Sequence, residues 1–439
     1  MMKLQTLPLG CSKNKVDTAH ILSQVESSYE IIPEGEDVSV DVLLINTCGF
    51  IGDAKEESIQ AILEAVERKK QGSVGKIVVF GCLSQRYGNE LPELIPEVDA
   101  WFGARDFDPV VRELGVEPSV DNVSRRYLTT PSHYAYLKIS EGCDRRCSYC
   151  AIPFIRETHK SVPMEVLVAE ARNLAAEGVK ELIIIAQDTT WYGLDLYRRR
   201  ALAELLQKLS EVEGIEWIRI HYSYPAAFPE DVLDQMADNP KVCRYMDIPL
   251  QHISDKVLDK MHRNVTGAWT RELIGKMRER VPGVVLRTTM IVGHPGEGKK
   301  DFNELLEFVK EARLERLGAF KYSEEEGTYG AENFKDSISD KVKQERLDEL
   351  MTLQSEISFA FNQSRVGTEA KVIVDDFVDG IFVCRSEFES PEVDGEILVR
   401  YEGASLDDVD PYSLIGEFMM VKVTGADEYD LIAEPLEIL

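Results

Sequence analysis

Positive charge is what this 439-residue sequence has least of: 78 aspartates and glutamates stand against 50 lysines and arginines, a formal net charge of −28. Such an excess repels phosphate backbones and favours basic partners, which counts against nucleic acid as a ligand. No run of about 18 apolar residues occurs, so neither a membrane-spanning helix nor a membrane partner is expected. The N-terminus, Met1 to Gly10, lacks the basic segment and apolar stretch of a secretion signal, and a cytoplasmic location is expected. Long-period repeats and low-complexity segments are also absent. Cysteines number only eight, and in a long chain without a signal peptide they do not read as a disulfide framework. A hydrophobic content of 44% is ordinary, so core formation is not in doubt. Single cores stop growing near ~250–300 residues, and two or three domains are expected.

What is present is an alternation of short apolar strands and helices. In the first ~125 residues, strands are expected at Leu4–Leu9, Val40–Asn46 and Lys76–Phe80, and helices over Asp17–Ser27, with Asp17 as the cap, and Lys55–Lys69. That rhythm implies a parallel, Rossmann-like α/β sheet covered on both faces. Basic and turn residues over Asn122–Pro131 suggest a boundary. Six further strands are expected from Tyr136–Ile139 through Gly318–Tyr322, separated by helices, as in a partial TIM-type (β/α)6 barrel whose chemistry sits at the carboxyl ends of its strands. A charged helix from Asp340 to about Gln363 leads into short β-branched and aromatic runs broken by Gly, Pro and Asp. Those runs fit a small antiparallel β-barrel, an all-β C-terminal domain. The expected domains are 1–125, 129–360 and 361–439.

Cys143-Asp-Arg-Arg-Cys147-Ser-Tyr-Cys150 follows an expected strand. Three thiolates on one tight loop can hold three corners of a 4Fe–4S cluster and leave the fourth iron open to a small molecule. Zinc wants four ligands, and His159 is the closest further candidate. A second triad is spread out: Cys11, Cys48 and Cys82 each sit just past an expected parallel strand, where an α/β sheet collects ligands. Three such cysteines can converge on a second incomplete cage. Cys243 and Cys384, isolated in strand-like contexts, read as small buried hydrophobes.

Gly293-His-Pro-Gly-Glu-Gly298-Lys299-Lys300 nearly spells a phosphate-binding loop, but Lys300 replaces the magnesium-binding hydroxyl and Pro295 removes one cradling amide. His221, His252 and His294, each near a strand end, read as hydrogen-bonded filler rather than as catalysts.

The Cys-x3-Cys-x2-Cys run resembles the defining motif of the radical S-adenosylmethionine (SAM) superfamily. The two triads together, with Leu9–Asn14, Asn46–Phe50, Phe80–Cys82, Cys150–Pro153 and Asp247–His252, make the chain resemble the methylthiotransferase family along nearly its whole length. The resemblance implies an N-terminal cluster domain, a radical SAM barrel and a C-terminal TRAM barrel. It implies two 4Fe–4S clusters and two SAM molecules per turnover, one giving its methyl and one the radical. Tyr149 resembles the aromatic residue beside the adenine, and Gln187, after the next strand, is a weaker candidate for SAM contact. Gly10–Asp17, Arg385–Glu387 and Pro391–Gly395 resemble the branch that modifies ribosomal protein S12 on an aspartate β-carbon, which implies S12 and a reductant as partners and makes tRNA an unlikely one. One departure stands out: where members often have Arg-Gly and then Ser-Arg-Pro, this chain has Arg156-Glu157 and Ser161-Val162-Pro163.

Three classes of function compete: the protein-modifying enzyme, a tRNA adenosine methylthiotransferase with the same chemistry, and a non-catalytic RNA-binding scaffold braced by its clusters. Residues 361–439 carry 19 acidic and 5 basic residues, a net charge of −14. A barrel made to grip RNA should carry a basic face. This one favours a basic protein substrate.

Overall fold

A computed structural model describes residues 1–119, 124–400 and 410–439. The first sheet is built from β1 (Met2–Pro8), β2 (Tyr29–Ile32), β3 (Val40–Thr47), β4 (Val74–Gly81) and β5 (Ala100–Trp101), all parallel, in the order β2-β1-β3-β4-β5. Its central strands are apolar on both faces, as a doubly covered parallel sheet requires. Leu43, Ile45, Ile77 and Val79 pack on Ile62, Ala65 and Val66 of the helix Gly52–Lys70. Leu4, Val42, Leu44, Val78 and Phe80 turn the other way onto Ile21, Leu22 and Val25 of the helix Ser12–Val25. β2 and β5 are short edge strands that the sequence reading did not anticipate. Asp17 does not cap its helix, which begins five residues earlier behind Cys11; it lies buried in the third position of a later turn, paired with Lys138 and Arg156.

The second sheet contains β6 (Tyr134–Lys138), β9 (Glu181–Ile185), β10 (Trp217–Ile220), β11 (Val242–Asp247), β12 (Val285–Val292) and β13 (Arg316–Lys321). They lie side by side in chain order, all parallel, and do not close. A two-residue ladder, β7 (Ser140–Glu141) with β8 (Lys160–Ser161), frames the loop after β6. Alternate residues face the outer helices, where the largest apolar core forms. The inner face is filled by the rest of the chain. Trp217, Cys243, Tyr245 and Val285 pack on Ile373 and Phe418, and Tyr134, Tyr136, Ile183 and Ile185 pack on Val16.

The helix Asp340–Arg365, capped by Ser339, leads into a closed barrel of β14 (Glu369–Val378), β15 (Ile381–Arg385), β16 (Ile397–Arg400), β17 (Phe418–Ala426) and β18 (Leu431–Ile438). It is antiparallel throughout except for β16 and β18, which pair in parallel, because the chain crosses the barrel between them rather than making a hairpin. The segment after β15 enters the inner face of the second sheet. Arg385 bonds Glu181 at 2.7 Å, Arg219 bonds Glu181 at 2.7 Å and the Glu387 carbonyl at 2.7 Å, and Arg316 bonds Glu389 at 2.9 Å, all buried. Removing one partner of such a buried pair strands the other charge, at about 3–5 kcal/mol.

Candidate functional site

Cys11, Cys48 and Cys82 follow β1, β3 and β4, three adjacent strands of the first sheet, and β1 and β3 flank the point where the strand order reverses. Close backbone approach draws the three loops together. A Cβ at Gly10 would lie 2.6 Å from the Cys48 Cβ and 2.9 Å from its Sγ, and one at Gly49 would lie 2.8 Å from the Cys82 carbonyl carbon. Only glycine fits these two places. Burial pushes the Cys48 thiol up, with the charge of Cys11 adding to the effect. Burial pushes Cys82 up to about 12, reinforced by Cys11 and Cys48 and opposed by Arg156. Thiols this buried stay protonated unless a cation is supplied, and iron is such a cation. The buried Ser12 Oγ beside Cys11 has no hydrogen-bond partner among the described residues.

Cys143, Cys147 and Cys150 lie on the loop between β7 and the helix Ile152–Arg156, at the carboxyl end of β6. The Cys143 amide donates to the Glu157 carbonyl at 2.9 Å, and the Cys150 amide to the Cys147 carbonyl at 3.1 Å. Burial pushes Cys143 up to about 12, with Asp188 and Cys147 adding to it, and burial also raises Cys150. Arg263 Nη1 donates to Cys147 Sγ at 3.5 Å, and the Tyr224 hydroxyl, which donates to the Arg263 carbonyl at 2.9 Å, lies 3.7 Å from the same sulfur. Among the described residues no group of three or more His, Cys, Asp or Glu could hold a single metal ion. A lone zinc needs its sulfurs within roughly 4 Å of one another. Two all-sulfur triads, each with an arginine donor on one of its sulfurs, fit iron–sulfur clusters better than a lone zinc, which wants four ligands. His159 bonds Ser161 at 3.0 Å and stands near Asp195, not with the cysteines.

Three families match the chain: the radical SAM superfamily over residues 137–309, the uncharacterized protein family UPF0004 over 3–103 and the TRAM domain over 366–436. The ribosomal protein uS12 methylthiotransferase RimO of Phocaeicola vulgatus is 50% identical over 434 residues, 99% of each chain. That of Porphyromonas gingivalis is 50% identical over 432 residues, 98% of each chain. The chain belongs to the RimO family. In fold it also resembles the radical SAM methyltransferase TsrM of Kitasatospora setae, solved with cobalamin and a 4Fe–4S cluster, at 13% identity and a TM-score of 0.52 over 87% of this chain and 81% of that one.

Of the two residues expected to contact SAM, Gln187 sits just past β9, its Nε2 2.5 Å from Glu141 and its buried Oε1 without a partner, an acceptor left for a ligand. Tyr149 is half-buried, with its hydroxyl 3.4 Å from Arg263 Nη1. Three further residues escaped the sequence reading. Arg156, buried, donates to Cys82 Sγ at 3.2 Å, Asp17 at 2.8 Å, Asn14 at 2.8 Å and Glu141 at 3.2 Å, so one guanidinium on the SAM-domain loop touches the other triad. Arg145 packs over Tyr224 and Trp191 at 3.9 and 4.3 Å and bonds Asp188. Arg263 lies over Tyr224 at 4.1 Å. Their nearness to cysteine motifs in sequence was the available signal for Arg145 and Arg156; nothing local marked Arg263. Beside Tyr224 and Arg263 opens a cavity of about 570 Å³ lined by Ala226, Asp259, His262 and Trp269, past the carboxyl ends of β10 and β11.

The rival features of a RimO-family chain fall into structural roles. In the Gly293–Lys300 loop the Gly293 amide bonds Glu297 at 2.7 Å, and Lys343 and Lys260 side chains pack on Gly293 and Gly296, so the cradle is already filled. Burial holds His221 and His252 at about 3 and His294 at about 4, all neutral at pH 7. His221 contacts Ser390 and His294 contacts Ser148. Cys243 and Cys384 are buried in β11 and β15.

Proposed function

We infer that this RimO-family member is a radical SAM methylthiotransferase that inserts a methylthio group at the β-carbon of an aspartate of ribosomal protein uS12. The observation that carries the reading is 50% identity over 99% of the chain to a RimO, with both cysteine triads set at strand ends. Cys143, Cys147 and Cys150 would hold one 4Fe–4S cluster, Cys11, Cys48 and Cys82 the other, and Tyr149 and Gln187 would contact SAM. Bound there, the clusters and SAM supply one-electron chemistry able to break an unactivated C–H bond, together with the inserted sulfur and its methyl group. The protein's own part is to hold these groups together and dry. Arg156, on the helix behind Cys150, reaches across to Cys82 of the other triad, and Glu141 ties Gln187 to Lys138 at 2.7 Å and to Arg156. The histidines near the strand ends are buried, two of them on serines, which suits a reaction that asks no base to remove the hydrogen.

The β-C–H bond of aspartate is too strong and non-acidic for base chemistry, which is why a radical is needed. A C-terminal region of net charge −14 supports a basic protein as substrate over tRNA. A cellular reductant would supply electrons, and the enzyme would work in the cytoplasm beside the ribosome. No described helix is long and apolar enough to cross a membrane. Anaerobically reconstituted enzyme given SAM, a reductant and either an S12-loop peptide or tRNA tests this by mass spectrometry. A methylthio mass gain on the aspartate peptide alone is expected, and modification of tRNA alone would overturn the substrate assignment.

A further inference from the structure

Lys13, two residues past Cys11 in the first turn of the helix Ser12–Val25, is 8% exposed. Among the described residues its ammonium has no hydrogen bond and no ion pair; it lies over the ring of Tyr222, 3.1 Å from the centroid, close enough for its charge to act on His221. A lysine this enclosed ordinarily pairs with a carboxylate; here the stem is buried while the ammonium nitrogen keeps access to solvent, so an anion from outside can reach it. The carboxylates on the same rim are engaged elsewhere. Asp247 takes Arg287 at 2.9 Å and the Tyr222 amide at 2.9 Å. Glu392 takes Lys15 at 2.7 Å, and Glu141 takes Lys138 at 2.7 Å. Tyr222 has a left-handed backbone, φ 59°, at the carboxyl end of β10, and its carbonyl accepts the Thr189 amide at 3.1 Å, just past Gln187. Lys13 therefore stands between the N-terminal triad and the strand ends of the barrel, where two elements of the site converge, with a charge that no carboxylate among the described residues pairs.

We propose that Lys13 binds the side-chain carboxylate of the aspartate that is modified, fixing its β-carbon beside the Cys11 loop. The inference rests on the substrate reading above and adds the residue that selects aspartate. An ammonium is a three-donor point charge suited to a carboxylate, and it has no comparable partner in the neutral amide of asparagine. The carboxylate of SAM is the other anion of the same chemistry within reach.

Titration calorimetry on the anaerobically reconstituted enzyme separates these sources, using two S12-loop peptides with Asp or Asn at the modified position. Wild type should bind the Asp peptide at least tenfold more tightly. Lys13→Met, close in length and uncharged, should erase that preference by weakening Asp-peptide binding about tenfold to a hundredfold. Lys13→Arg should keep part of it. An unchanged Asp-over-Asn preference in Lys13→Met overturns the proposal, and so does a loss of SAM affinity in its place. A fall in melting temperature with the preference intact makes Lys13 a packing residue and also overturns it. If wild type neither binds nor modifies the Asp peptide, the substrate reading itself has failed and this inference goes with it.

Discussion

The two cysteine triads reach the same donor set by opposite routes. Cys143, Cys147 and Cys150 share one eight-residue loop, and local chain geometry brings them together. Cys11, Cys48 and Cys82 lie on three loops, 37 and 34 residues apart, that meet only because β1, β3 and β4 are neighbours in a parallel sheet. The first site needs a short loop to fold; the second needs the N-terminal sheet. Arg156 then joins them, since it leaves the helix behind Cys150 and donates to Cys82. The difference teaches that the local triad should tolerate damage to the first sheet, whereas the dispersed triad should fail with it.

The largest effect should come from the ligands. Alanine at Cys143, Cys147 and Cys150 is expected to abolish SAM cleavage to 5′-deoxyadenosine and to remove roughly half of about eight irons per chain. Alanine at Cys11, Cys48 and Cys82 should remove the other half, leave SAM cleavage and stop methylthiolation. Iron analysis, chromatography of the nucleoside and mass spectrometry of S12 peptide read the three outcomes, and methylthiolated product from the N-terminal triple variant would refute the division of labour.

Arg156→Leu tests the joint. It strands Asp17 and Glu141 with Lys138 as their one remaining nearby cation, and breaking a buried pair of this kind costs about 3–5 kcal/mol. Urea unfolding of the apoprotein should show that loss, and iron should be lost from the dispersed triad before the local one. Equal loss from both would mean that the two sites stand or fall together.

Next in size is the acidic surface that would meet a basic partner. Asp375 does not belong to it: Arg385, at 2.5 and 2.8 Å, and His133, at 2.7 Å, hold its carboxyl below the usual range against the opposing effect of burial. Asp407 and Asp408 lie outside the described residues. Asp376, Asp379 and Asp410 are exposed, and changing the three to Asn should weaken S12 binding several-fold, more at low salt than at high. Binding measured at two ionic strengths checks this; a salt-independent loss would point away from long-range attraction.

The smallest expected effect lies beside the local triad. Glu157 takes φ 62° and ψ −158°, a region that only glycine enters without strain. Its side chain pairs with Arg105 near the surface, a contact of little net worth. Glu157→Gly should therefore raise stability by about 1 kcal/mol, the strain relieved exceeding the added freedom of the unfolded chain. Thermal unfolding would show it, and a lowered melting temperature would mean that the Arg105 pair outweighs the strain.

Much of this was legible in the amino acids alone. Period-two and period-3.6 apolar patterns placed the main strands and helices within a few residues, and the spacing of Cys143, Cys147 and Cys150 pointed to three sulfurs on one tight loop, because those signals are carried by neighbours in the chain. The positions of Cys11, Cys48 and Cys82 at strand ends were legible too, since parallel strands put their carboxyl ends on one edge. What only the tertiary structure decided are the contacts between residues far apart in sequence, which leave no local pattern. The guanidinium of Arg156 on Cys82 is one, and the C-terminal segment filling the inner face of the barrel through Arg385 and Glu389 is another. Asp17 reads as a helix cap and becomes a buried ion pair, because the partner that decides its role, Lys138, is 121 residues away. Lys13 leaves no local pattern either: only the packing of the helix Ser12–Val25 against the barrel sets its ammonium over Tyr222 with no carboxylate partner among the described residues.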